Sequence, residues 1–489
     1  MSLQNEMTPR PGHLSRAVKI VLWALVALAV WRLGTLGFYP LRDTTEARYG
    51  EVARLMMERQ DWITPWFDAD TPFWGKPPAS FWITALSFEL LGLHEFAARL
   101  PHWLAGIAVL ALTWGLAARR STSMAVYTGA VLMGSALFLV SAGAVMTDMA
   151  MVVGTTLAFR GFWLGLHGNP SERAREPWLM ALGMGIGLLA KGPVAVVLSG
   201  APMVLWALAS RQVGRTWREL PWVRGIVLTL LIASPWYLLA ERQTPGFLNY
   251  FIVGEHWNRF LVSGWTGDLY GTTHDYPRGT IWLFSMVDFM PWTVLLPIYF
   301  IVRLLQRSPD QPPASDRTWR LYLWLWCLMP GIFFTFAGNI LWPYVLPGFP
   351  ALALLVGGWM DRDPSSPRVA VVLCGGMAIT AALSTAYLID LNLSGKTQEK
   401  SQKALVATYD AQRQGDVPLL YLGRRQFSAD FYSRGRAEVV PDLNALSRRL
   451  DQASAFVAVA NEEVKDLPEE WRRHWKQVAV HGRYTLFRT

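Results

Sequence analysis

Cysteine and charge are both scarce in this chain: its 489 residues include two cysteines, and only 17% are charged. Both cysteines, Cys327 and Cys374, sit inside apolar segments, so neither a disulfide framework nor a cysteine metal site is suggested, and redox chemistry is not implied. No internal repeat or low-complexity segment is evident. A cleavable signal peptide fits poorly, because the first apolar run, Ile20 to Val30, leads into Trp31 and Arg32 instead of a small-residue cleavage site. That run reads as a retained first helix.

Apolar surface is what the chain has in excess. Hydrophobic residues make up 52% of it, 25 residues are Trp, and mean hydropathy is positive, which is too apolar for a soluble domain of this size. Bilayer-length apolar stretches recur from Val18 to Ile389, many bracketed by Trp, Tyr or Arg as an interfacial belt would be. A polytopic membrane protein follows, with membrane lipids as its surroundings. The net charge of +9 is dispersed over short loops between apolar segments, where the positive-inside rule puts it, so no nucleic-acid partner is implied.

Starting inside with Arg10, Arg16 and Lys19, hydropathy gives about eleven spans whose short basic loops alternate as a single topology requires. Arg119 with Arg120, Arg173 with Arg175, Arg211 to Arg224, Arg303 to Arg320, and Arg362 with Arg368 fall on the cytoplasmic side. The outer side receives the loop 39–101, the turn near Asp148, the "AKGP" turn, the loop from Glu241 to Gly279 and the tail after Asp390. In the first outer loop Tyr49, Val52 and Met56 recur against Glu51, Arg54 and Glu58, which predicts an amphipathic helix lying on the membrane. A second such helix follows "KPP"; the apolar stretch from Ala79 to Leu93 is short, and counting it as a span breaks the charge alternation.

From about Lys396 the composition turns soluble. A strand-like "PLLYLG", a helix-like "DLNALSRRLDQ", a strand-like "AFVAVA" and a helical run through Trp471 and Trp475 predict a small α/β tail. The fold class expected is therefore an all-α polytopic membrane domain over 1–395 with a small C-terminal soluble α/β domain over 396–489. An odd number of spans places the N-terminus in the cytoplasm and the tail outside it.

The outer segments carry the chemistry-bearing residues, each with a plainer reading beside it. Asp43, Glu46 and Arg48 open the amphipathic helix near headgroup level, or Asp43 caps that helix with Glu46 at its third position. Lys76, between aromatic residues and a rigid Pro-Pro, suits an ammonium held against a lipid phosphate, or snorkels at the interface. The same choice applies to Lys191, which a Gly-Pro turn fixes more firmly. Asp148 is an acid at the outer end of a span, or an N-cap. Glu255, His256 and Arg259 share a helical spacing, or form a solvated face. A divalent metal on Glu255, His256 and His274 fits no recognised ligand pattern, so no metal residue is assigned and no cofactor is named.

Taken in order, "DTTEARYGEVARLM", "QDWITPWFD", "GKPPASFW", "FAARLP", "TDM", "AKGP", "EHWNRF" and "YVLPGFPALALL" resemble one family. It is the 4-amino-4-deoxy-L-arabinose transferase and protein O-mannosyltransferase superfamily of GT-C fold glycosyltransferases, and the resemblance covers nearly the whole chain. It implies inverting transfer from a polyprenyl-phosphate sugar donor to a glycolipid or glycan acceptor, such as lipid A, on the periplasmic face of a bacterial inner membrane. Matched singly, relatives carry an acidic pair or an Asp three before the Glu in this loop, and here Thr45 precedes Glu46, so Asp43 is the matching first-loop acid. Asp148 matches the second outer acid and Lys76 the lysine before Pro-Pro. Gly75 precedes it, where relatives often carry a Glu proposed as a metal ligand. Before Tyr344, where the arabinose transferases usually show basic residues, this chain has Gly338, Asn339, Ile340 and Leu341, a departure that bears on an anionic acceptor.

These readings assign catalysis to Asp43, Glu46 and Asp148, and substrate binding to Arg48, Lys76, Lys191, Glu255, His256, Arg259 and Tyr344. Two alternatives stay open: a protein hydroxyl as acceptor, and a lipid-linked sugar transporter or flippase. The latter expects broken helices in matched halves and more ionisable groups at the midplane than Arg160 and Asp288 provide.

Overall fold

The computed structural model describes residues 14–271, 274, 276–305, 315–451 and 453–489. Arg10, the side chain of Arg303 and residues 306–314 of the same basic loop lie outside the described residues. Six segments are long and apolar enough to cross a bilayer: Arg16–Gly34, Glu95–Ala118, Asp148–His167, Trp222–Gln243, Trp342–Met360 and Pro367–Leu393. A pair bent by 79°, Thr280–Asp288 with Trp292–Ile301, makes up to seven. The expectation of about eleven draws also on helices that are shorter or more charged, Thr122–Met133, Pro170–Lys191, Pro193–Ala209 and Ser315–Thr335. Large apolar side chains face outward from these helices, Leu231 66% and Leu238 65% exposed among them, the pattern of a surface meant for hydrocarbon.

Helix packing follows the small residues. Helices Asp148–His167 and Pro170–Lys191 lie so close that a Cβ on Gly154 would come within 2.7 Å of the Gly183 oxygen, and one on Gly161 within 2.5 Å of the Glu176 oxygen. Glycine lets two backbones pack face to face without a hydrophobic drive between them. Arg160 is paired with Glu176 at 3.0 Å across this same interface, so its charge is internal to the bundle. The second helix starts on an Asn169 and Glu172 capping box with Pro170 in its first turn, which sets where the chain re-enters.

The first outer loop carries helices Thr45–Arg59 and Ala79–Leu91, as its periodicity predicts. The polar face of the first is only partly solvated: Glu58 is exposed, but its neighbours on that face are not. Glu51 and Arg54 are each 2% exposed and paired at 2.6 Å, because the C-terminal domain is seated on that face; Arg54 lies 3.0 Å from where a Cβ on Gly435 would stand.

The C-terminal domain is a five-stranded sheet in the order β2-β1-β3-β5-β4. Its strands are β1 (Leu419–Leu422), β2 (Ala437–Val440), β3 (Phe456–Ala460), β4 (Lys476–His481) and β5 (Tyr484–Arg488). β1 runs parallel to β2 and β3, and β5 pairs antiparallel with β3 and β4. "PLLYLG" is β1, "AFVAVA" is β3, and the two helical runs are Leu443–Leu450 and Glu469–His474. Charged, half-buried β2 and β4 lack the apolar runs that betray β1 and β3.

Candidate active site

Turns and helix ends aim the charges. The Pro170–Lys191 helix stops at Gly192, whose φ of 83° suits glycine and whose Cβ position would lie 2.7 Å from the Phe251 ring and 2.9 Å from Nε2 of His256. Pro193 then starts the next helix, so Lys191 is fixed at the end of a rigid rod. Its ammonium is ion-paired with Asp148 and lies 4.6 Å above the Tyr344 ring. Asp148 opens its own helix but leaves the N-cap position to Thr147, so the capping reading does not describe it.

Lys76 Nζ meets Glu255 Oε2 at 3.0 Å. Arg259 meets the other oxygen of Glu255 at 3.1 Å and Asp268 at 3.2 Å. Burial works against the charge on Glu255, yet Lys76 and Arg259 on either side hold its carboxyl below the usual carboxylate range. Arg48 differs from the other cations. One of its amino groups donates to the Tyr270 carbonyl at 2.5 Å, its carbon lies 5.3 Å from the centre of the Tyr49 ring, and its Nε is buried without a partner. It has no carboxylate partner among the described residues.

All of these line one cavity of about 430 Å³. Arg48, Lys76, Asp148, Lys191, Glu255, Arg259 and Tyr344 converge on it from six separated stretches of sequence. Four cations face three carboxylates, Asp148, Glu255 and Asp268, which leaves Arg48 as the excess charge. Asp268 and Tyr270 had no signal in the sequence, and Phe427 reaches the cavity from the C-terminal domain, which no local pattern discloses.

Three expected residues lie elsewhere. Asp43 is turned to the C-terminal domain, accepting hydrogen bonds from the Ser428 amide at 3.0 Å and from its hydroxyl; Thr44 and Thr45 line the cavity instead. Glu46 does not complete a capping box either. It accepts two bonds from Arg99, at 2.8 and 3.0 Å. Burial opposes its charge and the Arg99 guanidinium outweighs that, holding it below the usual range. His256 sits behind the wall, its ring nitrogens 2.8 Å from the Phe251 oxygen and 3.2 Å from the Lys191 oxygen, with burial lowering its pKa. It positions the Lys191 turn.

Burial of Asp43 under the C-terminal domain pushes its pKa up to about 6 from 3.8, against the Ser428 hydrogen bonds that pull it down. A raised carboxyl favours the protonated folded state, so its contribution is full below pH 3.8 and is lost as pH rises through about 6. The thermal midpoint is expected to climb on acidification across that window, and Asp43→Asn to flatten the climb. Parallel pH profiles for the two proteins would remove the assignment.

Among the described residues no group of three His, Cys, Asp or Glu side chains is arranged to hold a metal.

Residues 12–251 match the family model described as dolichyl-phosphate-mannose-protein mannosyltransferase. The chain is 28% identical over 359 residues to the undecaprenyl phosphate-alpha-4-amino-4-deoxy-L-arabinose arabinosyl transferase of Enterobacter sp. (strain 638), covering 72% of this chain and 61% of that one. The Pseudomonas paraeruginosa protein of the same name is 28% identical over 382 residues, covering 74% and 64%. The matched part thus spans about three fifths of these relatives' length. Among solved structures, ArnT from Cupriavidus metallidurans bound to undecaprenyl phosphate superposes with a TM-score of 0.80 at 21% identity, over 96% of this chain and 98% of that one. Its apo form gives 0.78. The chain therefore has the GT-C fold of that protein.

Proposed function

We propose, from the match of residues 12–251 to the dolichyl-phosphate-mannose-protein mannosyltransferase family model, that the chain transfers a sugar from a polyprenyl-phosphate carrier to an envelope acceptor. The observation that carries this reading is the convergence of Arg48, Lys76, Lys191 and Arg259 on one cavity with a single cation left over. A polyprenyl-phosphate sugar brings the matching anion, and undecaprenyl phosphate is the ligand of the structural neighbour. The protein crosses the inner membrane about eleven times, with the N-terminus cytoplasmic and the cavity and C-terminal domain periplasmic.

When the bond from the anomeric carbon to the phosphate oxygen breaks, negative charge builds on the departing phosphate and positive charge on the sugar ring. Arg48, Lys76 and Arg259 hold the phosphate and stabilise its growing charge, which accelerates the step because the gain is larger in the transition state than in the bound donor. Asp148 faces the ring carbon and the incoming acceptor oxygen. It offsets the developing positive charge and takes the acceptor proton where the acceptor is a hydroxyl. One displacement inverts the anomeric centre. Glu255 bridges Lys76 and Arg259 and so fixes both cations at the cavity wall.

Incubating the purified protein with a labelled polyprenyl-phosphate sugar and lipid A tests the reading. Labelled lipid A and free carrier phosphate should appear in equal amounts. Movement of the intact donor across a vesicle bilayer without carrier release would identify a transporter instead. For the binding step, Lys76→Met is expected to weaken undecaprenyl phosphate binding by about tenfold or more, the loss of one charge-assisted contact. Titration of the purified variant by native mass spectrometry measures it, and unchanged binding would take Lys76 out of the phosphate site.

A further inference from the structure

Charge in the central cavity comes to zero once a carrier is bound. Among the described residues of its lining, four cations, Arg48, Lys76, Lys191 and Arg259, face three carboxylates, Asp148, Glu255 and Asp268. His274, also in the lining, adds no charge at neutral pH, because burial, and after it Arg259, lower its pKa. The excess of one positive charge is what the single ionised oxygen of a polyprenyl phosphodiester cancels. A charged sugar on that carrier would then stand unpaired beside side chains as buried as Asp148, at 5% exposure, where an uncompensated charge is costly.

The individual contacts repeat the sum. Lys76 and Arg259 take the two oxygens of Glu255 at 3.0 and 3.1 Å, and Asp268 pairs with Arg259 at 3.2 Å and accepts from the Tyr270 amide at 2.9 Å. Asp148 gives one oxygen to Lys191, which leaves the other for the reacting centre. No carboxylate among the described residues of the lining is therefore spare for a sugar ammonium. Aromatic faces are the other place where an ammonium binds, and those in the lining already carry cations of the chain. Arg48 lies 5.3 Å from the Tyr49 ring and 5.9 Å from that of Phe73, Lys191 lies 4.6 Å from Tyr344, and Arg425 lies 4.8 Å from Phe427. What is left for the sugar is uncharged: Thr44, Thr45 and Thr147 line the same cavity, and a threonine hydroxyl both donates to and accepts from a sugar hydroxyl.

We propose that the donor sugar is an uncharged pentosyl or hexosyl group, and that the cavity selects it by charge against an amino sugar in its ammonium form and against a uronic acid. An ammonium is turned away because every acid and every lining ring that carries a cation is already engaged; a second anion is turned away because the carrier phosphate uses the one excess cation. Arg48 sets that sum, as the cation of the four with no carboxylate partner among the described residues. This rests on the transferase reading above and narrows its donor.

The test is donor competition on the full chain in detergent, read by native mass spectrometry. The probes are bare undecaprenyl phosphate and two matched pairs of its glycosylated forms: L-arabinosyl with 4-amino-4-deoxy-L-arabinosyl, and glucosyl with glucuronosyl. Each pair keeps the shape of the ring and changes the charge. The uncharged member of each pair should bind the wild type about tenfold or more tighter than its charged partner. Thr45→Asp adds a carboxylate to the lining at the first turn of a helix, where an acid is tolerated, and Arg48→Gln removes the excess cation. Both variants should shrink or invert the preference for arabinosyl over its amino partner and widen the preference for glucosyl over glucuronosyl, opposite shifts that a change in packing alone would not produce. Wild-type binding of either charged donor as tight as its neutral partner, preferences unmoved in both variants, or bare carrier bound with all four glycosylated forms refused would overturn the neutral-sugar assignment and leave the carrier site standing. A wild type that binds neither the bare carrier nor any glycosylated form sinks the donor reading itself, and the neutral-sugar assignment with it.

Discussion

Asp148→Asn is expected to lower turnover by about a hundredfold or more while undecaprenyl phosphate binding changes little, the signature of an interaction made chiefly in the transition state. Asparagine keeps the shape of the side chain and its contact with Lys191, so the bundle is preserved and only the negative charge goes. That charge matters because Asp148 is buried at 5% exposure in a cavity where cations outnumber acids. Lys191 pins the carboxylate and is itself fixed by the Gly192 turn and the Tyr344 face, so little reorganisation is left for the reacting step. Turnover is read as labelled lipid A formed per minute, carrier binding by native mass spectrometry. A correctly inserted Asp148→Asn protein with wild-type turnover would leave Asp148 as a structural partner of Lys191 and require another carboxylate for the chemistry.

The parts of the site legible in the sequence were those whose surroundings constrain a charge locally. Lys76 before Pro-Pro, Lys191 before Gly-Pro and Asp148 at a span end all stand where a turn breaks an apolar run, and all three line the cavity. Glu255 and Arg259, four residues apart, are paired as their spacing suggested, inside the cavity and not on a solvated face. What the sequence hid is tertiary. Asp43 stands two residues from Thr45 and Glu46 two from Arg48, yet the first is claimed by Ser428, 385 positions away, and the second by Arg99, 53 positions away. No local pattern says which member of such a run faces a cavity. The same holds for the helix over Thr45–Arg59, where Glu51 and Arg54 carry the composition of a wet face and are buried because a second domain covers them. In the C-terminal domain the interior parallel strands announced themselves by continuous apolar runs, as fully buried strands do, while half-exposed β2 and β4 did not.

Arg99→Ala is expected to destabilise the protein by about 3–5 kcal/mol, the largest loss for any single change near the site, because it strips a buried carboxylate of the guanidinium that pairs both of its oxygens. Arg99 is fully buried. It forks onto both oxygens of Glu46 and also donates to the carbonyls of Leu36, Tyr39 and Pro40 at 2.8, 2.7 and 3.0 Å, with its carbon 3.6 Å above the Tyr39 ring. One guanidinium thus satisfies the carbonyls where the first helix gives way to the outer loop, and anchors the residue next to Thr45. Glu46→Gln should be milder, since an amide oxygen still accepts from the fork. The double change Arg99→Met/Glu46→Leu should recover much of the loss, because it removes both desolvated charges and retains volume. Thermal midpoints of the three variants give the energies, and transfer assays on the same samples separate the roles of Glu46. Were Glu46 a catalytic acid, Glu46→Gln would keep its midpoint and lose turnover, and the double change would stay inactive however stable it became. Recovery of transfer in the double variant would show that the carboxylate holds the loop in place and leaves the chemistry to Asp148.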